Sequence, residues 1–334
     1  MTKPIIAVTI GDPNGVGPEV ALKALAETRL RESCRALLVG PPPLWRQNLA
    51  VAGVSFKINE VENFNDWFGD ENEIAVIGFE VDRRFRIQPG KMTAAAGAVA
   101  AQALELAAKL ALQKKVAAVV TAPLSKKSLQ LAGYDFPGQT EFLAEKTCAG
   151  DVVMVLLSGN FRVGLATTHC AIQEVSARLS REIILRKLKI LQEDLCGRFR
   201  IPRPRIAVCA LNPHAGEEGL FGSEESKIIR PAISDAQALG IDAVGPLPAD
   251  TLFARVDQQN YDAYLAMYHD QGLIPLKMKS FGRAVNYTAG LNIIRTSPDH
   301  GTAFDIAGQG AADPGSMMEA IKLAVELAAH STAG

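Results

Sequence analysis

Short apolar runs alternate along this chain with alanine- and leucine-rich stretches at helical spacing, which predicts an α/β fold with a parallel sheet covered on both faces. At 334 residues the chain exceeds the size at which a single core usually stops growing, so two lobes are expected. The first strand-to-helix turn lacks the GxGxxG spacing, which argues against an ordinary Rossmann dinucleotide site.

Taken in order, Ile5 to Ile10, Ala36 to Val39, Ile74 to Ile77 and Val116 to Val120 read as buried parallel strands, with helices at Val16 to Glu27 and Thr93 to Leu112. Val152 to Leu157 and Arg162 to Thr167 are joined through Ser158-Gly159-Asn160, a tight hairpin turn. A long helix over Val175 to Leu195, a strand at Ile206 to Leu211, a helix at Glu224 to Leu239, a strand at Ala263 to Tyr268 and a closing helix at Met317 to Leu327 complete the pattern. No repeat, low-complexity tract or Gly/Ser linker marks a lobe boundary.

Composition narrows the function. With 48% hydrophobic and 21% charged residues the chain has no deficit that would leave it disordered. Its net charge of −1 and scattered Lys and Arg give no footprint for nucleic acid or an anionic membrane, so a small-molecule partner is expected. Five cysteines, odd in number and without a CxxC pair, fit neither a disulfide framework nor a thiolate zinc site, and point to a reducing cytoplasm. The N-terminus lacks the apolar core of a signal peptide, and no apolar stretch is read as reaching membrane-spanning length.

Several short polar motifs carry chemistry. Thr9-Ile10-Gly11-Asp12-Pro13-Asn14-Gly15-Val16-Gly17-Pro18-Glu19 passes from strand to helix with Pro18 near the first turn, and suits either an anion site or a tight turn without ligand. After the strand ending at Val120, Thr121, Lys126, Gln139 and Thr140 lie where α/β enzymes bind ligands; Ser125 reads equally as a helix cap and Lys127 as a solvated side chain. Three histidines follow predicted strands, in Thr-Thr-His169, Asn-Pro-His214-Ala-Gly-Glu217 and Tyr-His269-Asp270-Gln-Gly. Their separations match no local metal motif, and each singly suits a hydrogen-bonded structural role. Together, three neutral imidazoles suit a divalent ion with an open position for a substrate oxygen. His330, near the C-terminus, reads as solvated.

The block from Arg295 to Pro314, containing His300-Gly301-Thr302-Ala303-Phe304-Asp305-Ile306-Ala307-Gly308, resembles the adenosine-binding loop of isocitrate and isopropylmalate dehydrogenases. Those enzymes hold NAD or NADP without a Rossmann motif. By that resemblance His300, Gly301, Asp305 and Gly308 bind the cofactor, NAD or alternatively NADP, the glycines letting backbone approach the adenine.

GDPNGVGPE, TAPLSK, PGQTE, TTH, NPHAGE, GPLPADTLF, MYHDQG and VNYTAGLNIIRTSPDHGTAFDIAG, in that order along nearly the whole chain, resemble the 4-hydroxythreonine-4-phosphate dehydrogenase family of pyridoxal phosphate biosynthesis. The resemblance implies a cytoplasmic homodimer of subunits with two α/β/α lobes, of the isocitrate/isopropylmalate dehydrogenase kind, with the active site in the cleft between them. The lobes are placed at residues 1–125 plus 296–334 and at 126–295, the second carrying metal and dimer contacts. The family's metal ligands fall on His169, His214 and His269, contributed across the dimer interface and suited to zinc, magnesium or cobalt. Its substrate contacts fall on Thr140, Lys277, Asn286 and Arg295.

The implied reaction is NAD-dependent oxidation of 4-phosphooxy-L-threonine to a β-keto acid, which loses CO2 to give 3-amino-2-oxopropyl phosphate. Related dehydrogenases acting on 4-phospho-D-threonate, 4-phospho-D-erythronate or a carboxylated cyclic dihydrodiol are the alternative, and Gly245-Pro246-Leu247-Pro248-Ala249-Asp250-Thr251 looks like the biosynthetic form. Lys277 and Arg295 suit a phosphate or carboxylate. Lys277, Asp250 and Asp270 are the catalytic candidates, the two carboxylates for holding an amine or relaying a proton, or as structural acceptors. Where the family usually reads PGHTE this chain has Pro137-Gly138-Gln139-Thr140-Glu141, replacing a titratable histidine by a neutral amide that still donates and accepts hydrogen bonds. A catalytically silent nucleotide-binding scaffold is opposed by the three intact histidines together with Lys277 and Arg295.

Overall fold

The computed structural model describes residues 3–62 and 74–332. The chain divides into two compact units, residues 1–149 with 291–334, and residues 150–290. The first unit begins β1 (Ile5–Thr9), α1 (Gly17–Ala26), α2 (Thr28–Ser33), β2 (Arg35–Val39), α3 (Pro42–Ala52), β3 (Ile58–Glu60), β4 (Ile74–Ile77), α4 (Ala94–Leu112), β5 (Ala118–Thr121), α5 (Lys126–Leu131) and α6 (Gln139–Lys146). The second unit runs β6 (Val153–Ser158), β7 (Phe161–Leu165), α7 (Val175–Arg178), α8 (Arg181–Gly197), β8 (Arg205–Cys209), α9 (Arg230–Ala238), β9 (Asp242–Leu247), α10 (Ala249–Ala254), β10 (Ala263–Ala266), α11 (His269–Ser280) and β11 (Val285–Ala289). The chain then returns to the first unit as β12 (Arg295–Pro298) and α12 (Gly315–Thr332).

In the first unit the strand order is β3-β4-β2-β1-β5-β12 and each neighbouring pair is parallel. Their near-continuous burial explains why the sequence shows unbroken apolar runs rather than alternation. Among the helices, α4 starts where the Thr93 hydroxyl accepts from the Ala96 N–H at 3.2 Å. It then packs so closely on α5 that a Cβ at Gly97 would lie 1.9 Å from the Ser128 carbonyl, so only glycine fits. Ser125 is the cap of α5, accepting from the Ser128 N–H. Residues 126–149, expected in the second lobe, pack within the first unit through that contact.

One expectation is corrected by α4: it is long and apolar enough to cross a membrane by length and composition. More than half of that window is buried inside the protein, as a core helix requires.

The second unit has the order β11-β6-β7-β10-β8-β9, with β11/β6 and β6/β7 antiparallel and the remaining pairs parallel. The hairpin turns at Gly159, whose φ of +55° suits glycine. The helix expected over Val175 to Leu195 is two helices, because the Ser180 hydroxyl accepts from the Ile183 N–H and restarts the helix as α8. A core of Leu156, Phe161, Val163, Tyr264, Leu273 and Leu276 holds α11 against the sheet. Truncating one such leucine to alanine costs roughly 2–5 kcal/mol, enough to fix which face of α11 turns inward.

Candidate active site

In the first unit the chemistry gathers around Arg295 at the start of β12. Parallel pairing of Arg295 with Val119 brings it beside the end of β5, where Thr121 sits. The Thr121 hydroxyl accepts from both Nε and Nη2 of Arg295, at 3.0 and 2.7 Å. Gln139, opening α6, accepts from Nη2 through Oε1 at 3.0 Å and donates from Nε2 to the Ala122 carbonyl at 3.1 Å. Both acceptors are neutral, so these bonds orient the guanidinium without cancelling its charge. Burial pushes the pKa of Arg295 down to about 10, opposed by the negative charge of Glu141, and the group stays protonated at neutral pH. Thr140 is buried on α6 next to Gln139, whereas Lys126 is exposed at the start of α5. Sequence spacing joined Lys126 to this cluster; Thr121 and Gln139 are the side chains that bond the Arg295 guanidinium.

The glycine-rich turn after β1 does not present the exposed helix start that an anion would use. Residues 11–22 are buried, and the Val16 N–H donates to the Thr302 carbonyl at 3.0 Å. Asn14 works as a rivet: Nδ2 donates to the Lys91 carbonyl and the Thr93 hydroxyl, and Oδ1 accepts from the Gln88 N–H. Asp12 is fully buried; desolvation raises its pKa against the hydrogen bonds that lower it.

A cavity of about 220 Å³ opens beside this turn, with Asn14, Gly15, Gln47, Asn48 and Gly308 in its wall. Of the four expected cofactor residues Gly308 reaches this wall, at φ +77°. His300, Gly301 and Asp305 stand outside it; His300 Nδ1 lies 3.0 Å from the Gly301 carbonyl, and its Nε2 is buried without a hydrogen-bond partner. Amide side chains around a small cavity with a glycine wall fit the flat, hydrogen-bonding edge of a nucleobase.

In the second unit the strand ends position the histidines. The Thr167 hydroxyl donates to the Met267 carbonyl at 2.7 Å, tying the exit of β7 to that of β10. Two residues beyond each, His169 and His269 lie with ring centroids 5.7 Å apart. His269 is the first residue of α11 rather than the end of a strand, and its Nδ1 is 2.7 Å from the Asp270 carboxylate. That contact orients the ring and turns Nε2 outward, an arrangement that would suit a metal-bound imidazole supported by a carboxylate. Gln271, whose role sequence reasoning missed, accepts from the Met267 N–H at 2.7 Å and donates to the Ala210 carbonyl at 2.6 Å. It thereby links the exits of β10 and β8. Its signal was present in the Tyr-His-Asp-Gln-Gly motif, where only the ionisable residues drew attention.

His214 does not join the pair. It lies in a turn whose residues 214–218 all have positive φ, a left-handed loop led by His214 at φ 53°, ψ 27°. The buried Glu225 anchors its entry, accepting from the Leu211 and Asn212 N–H groups at 2.9 and 2.7 Å. Among the described residues no group of three His, Cys, Asp or Glu side chains is gathered to hold a metal. The chain therefore supplies a two-histidine half-site that fits a divalent ion, to be completed by a further donor. Lys277 is exposed on α11, Asp250 is exposed in the first turn of α10, and Asn286 is half-buried on β11 with its Oδ1 unpartnered.

A mixed α/β fold with polar and ionisable side chains at its strand ends defines an α/β enzyme. A family model described as pyridoxal phosphate biosynthetic protein PdxA matches residues 32–324. A 4-hydroxythreonine-4-phosphate dehydrogenase of Geobacter metallireducens is 46% identical over 98% of this chain and 96% of its own length. A D-threonate 4-phosphate dehydrogenase of Salmonella typhimurium is 42% identical over 97% of this chain and 98% of its own. The solved structure of 4-hydroxythreonine-4-phosphate dehydrogenase from Klebsiella pneumoniae matches with a TM-score of 0.89 at 41% identity, covering 98% of each chain. The chain belongs to the PdxA family and is an enzyme of the dehydrogenase class.

Proposed function

We propose that the chain oxidises 4-phosphooxy-L-threonine with NAD, NADP being the alternative, and that the resulting β-keto acid loses CO2 to give 3-amino-2-oxopropyl phosphate. The observation that carries the reading is the His169–His269 pair with Asp270 bonded to one ring. Full-length relatives named 4-hydroxythreonine-4-phosphate dehydrogenase supply the substrate.

In this reading His169 and His269 hold a divalent ion, zinc, magnesium or cobalt, with His214 as the third ligand contributed across the dimer interface. When bound, such an ion acidifies the substrate alcohol and later polarises the ketone. Asp270 is the positioning residue for His269. Lys277 and Asp250, both exposed, are the remaining candidates for carrying protons, and Asn286 offers its unpartnered Oδ1 to the substrate. Arg295, oriented by Thr121 and Gln139, holds the anionic end of the substrate together with Thr140 and Lys277. The cavity at Asn14 and Gly308 takes the adenosine of the cofactor, with His300, Gly301 and Asp305 alongside in a loop like that of isocitrate dehydrogenases.

A homodimer in a cytoplasmic setting completes the proposal. Ile274 and Met278 are exposed four residues apart on α11, and Phe281 is exposed just past its end, an apolar patch that a second copy of the chain would cover. Light scattering should give twice the chain mass, and Met278→Glu should shift it toward one.

The test is NADH formation at 340 nm with each substrate and each metal. Turnover of 4-phosphooxy-L-threonine is expected. Turnover of 4-phospho-D-threonate alone would replace the first reading by the second, which the 42% identical Salmonella typhimurium relative favours.

A further inference from the structure

We propose a second anion site in the 150–290 unit, a pocket behind His169 that takes a phosphate or other compact oxyanion. The cavity is about 520 Å³ and is lined by Asp151, Thr168, His169, Arg178, Arg186 and Lys187, among others. None of Asp151, Arg178, Arg186 or Lys187 takes part in the dehydrogenase reading, so the inference does not depend on the identity of the alcohol oxidised.

The charges in the wall are unbalanced. Three permanent cations face one carboxylate, Asp151, and that carboxylate is shared: Lys187 donates to Oδ1 at 2.5 Å, and Arg186 Nε lies 3.3 Å from Oδ2. Lys187 is largely buried, its side chain 12% exposed, and it also donates to the Val152 carbonyl at 2.7 Å, so it is fixed in place. Arg178 and Arg186 are more than half exposed, and Arg178 pairs with Glu174, which does not line the cavity. Exposed pairs of this kind are weak, so both guanidinium groups can turn to a dianion that offers each a two-bonded contact. The Thr168 hydroxyl adds a neutral donor to the same wall. Compact oxyanions match this set: their oxygens span several donors at once, whereas a monovalent halide cannot engage two guanidinium forks.

The cavity shares Thr168, His169 and Cys170 with a smaller one of about 290 Å³ that also contains His269 and Asp270. An anion in the larger cavity would therefore sit beside His169, on the wall the two cavities share.

The experiment uses the full chain and inorganic phosphate, followed by calorimetric titration, with glycerol 3-phosphate as the second probe. Equal affinity for the two probes identifies a site for free phosphate or any phosphate group. Binding of the ester alone identifies a site for a phosphorylated organic body. Tungstate soaked into crystals places the site by its anomalous signal. Arg178→Gln with Arg186→Gln should weaken phosphate binding by about 10- to 100-fold, the loss of charge-assisted bonds, and remove the tungstate peak beside His169. Both replacements are on exposed side chains, and circular dichroism with an unchanged melting temperature verifies the fold; Arg186→Lys should recover part of the affinity. No anomalous peak in this cavity, or phosphate affinity unchanged in the double variant, overturns the proposal. Binding lost through Arg295 and not through Arg178 or Arg186 would do the same, because it places the anion in the other unit.

Discussion

The two units hold their charged groups in opposite ways. In the first, the Arg295 guanidinium is 2% exposed and gripped by a hydroxyl and an amide from two other elements. In the second, His169 is exposed and His269 stands partly in solvent, supported by one carboxylate from its own helix. A charge that must hold one orientation is costly to bury, and the cost is offset only by a complete set of acceptors. In the proposed reading the histidines are metal ligands, which need an accessible nitrogen and few packing contacts and so can be built on a helix end. Stability and chemistry should accordingly separate between the units.

The largest effect expected is Thr121→Val, which keeps the side-chain shape but removes the acceptor of two charge-assisted bonds. Unfolding free energy should fall by about 3 kcal/mol in urea titration; a loss below about 1 kcal/mol would show that the guanidinium is not held there. His269→Ala should do the reverse, leaving stability within about 0.5 kcal/mol. Turnover should drop by at least about 100-fold, since removing the supporting group of a metal ligand alone costs 10- to 100-fold. A variant that unfolds without losing activity per folded molecule would break the contrast.

A subtler comparison is Gln139→His. Above neutrality an imidazole can accept from Arg295 and still donate to Ala122. Once protonated it cannot accept, and its charge faces the guanidinium. The stability contributed by the imidazole is present above its unfolded pKa, ordinarily about 6.5, and is lost as pH falls through that range. The variant should therefore lose kcat/KM and stability between about pH 7.5 and 5.5, while the natural chain has no titrating group at that position. Identical pH profiles would remove Gln139 from the site.

The smallest effect concerns Asp151. Burial works to raise its pKa, but the bond and charge of Lys187 and the charge of Arg186 outweigh it and hold the carboxyl below the usual range. The stability of this pair is present above the unfolded carboxyl pKa and disappears as pH falls through the lower folded value. Lys187→Met should cost about 1 kcal/mol or less at pH 7. The gap from the natural chain should close when unfolding is repeated near pH 3, and a gap that widens on acidification would contradict the assignment.

How much of this was legible in the sequence follows from what each residue answers to. The strands of the first unit were legible because a parallel strand buried on both faces has a continuous apolar run, as in Ile6 to Val8. α11 and β12 were not read as elements: α11 carries Pro275 and apolar residues on two faces, so it has no helical stripe, and β12 is four residues of Arg-Thr-Ser-Pro. Arg295, Gln139 and Thr121 were each named, but their meeting depends on strand order, which local spacing does not encode. Gln271 escaped because its work is done on backbone groups of β10 and β8, partners that leave no mark in the sequence around it.

The turn that carries His214 has a stereochemical consequence. Residues 214–218 wind in the hand opposite to an ordinary helix, and four of the five are chiral L-residues, for which that hand costs roughly 1–2 kcal/mol each. Chirality is thus a liability along this turn, and semisynthesis offers a direct remedy. A D-alanine at position 215 would find the observed backbone natural, so mirror-image chemistry at a single residue should relax a loop that no L-side chain can make comfortable.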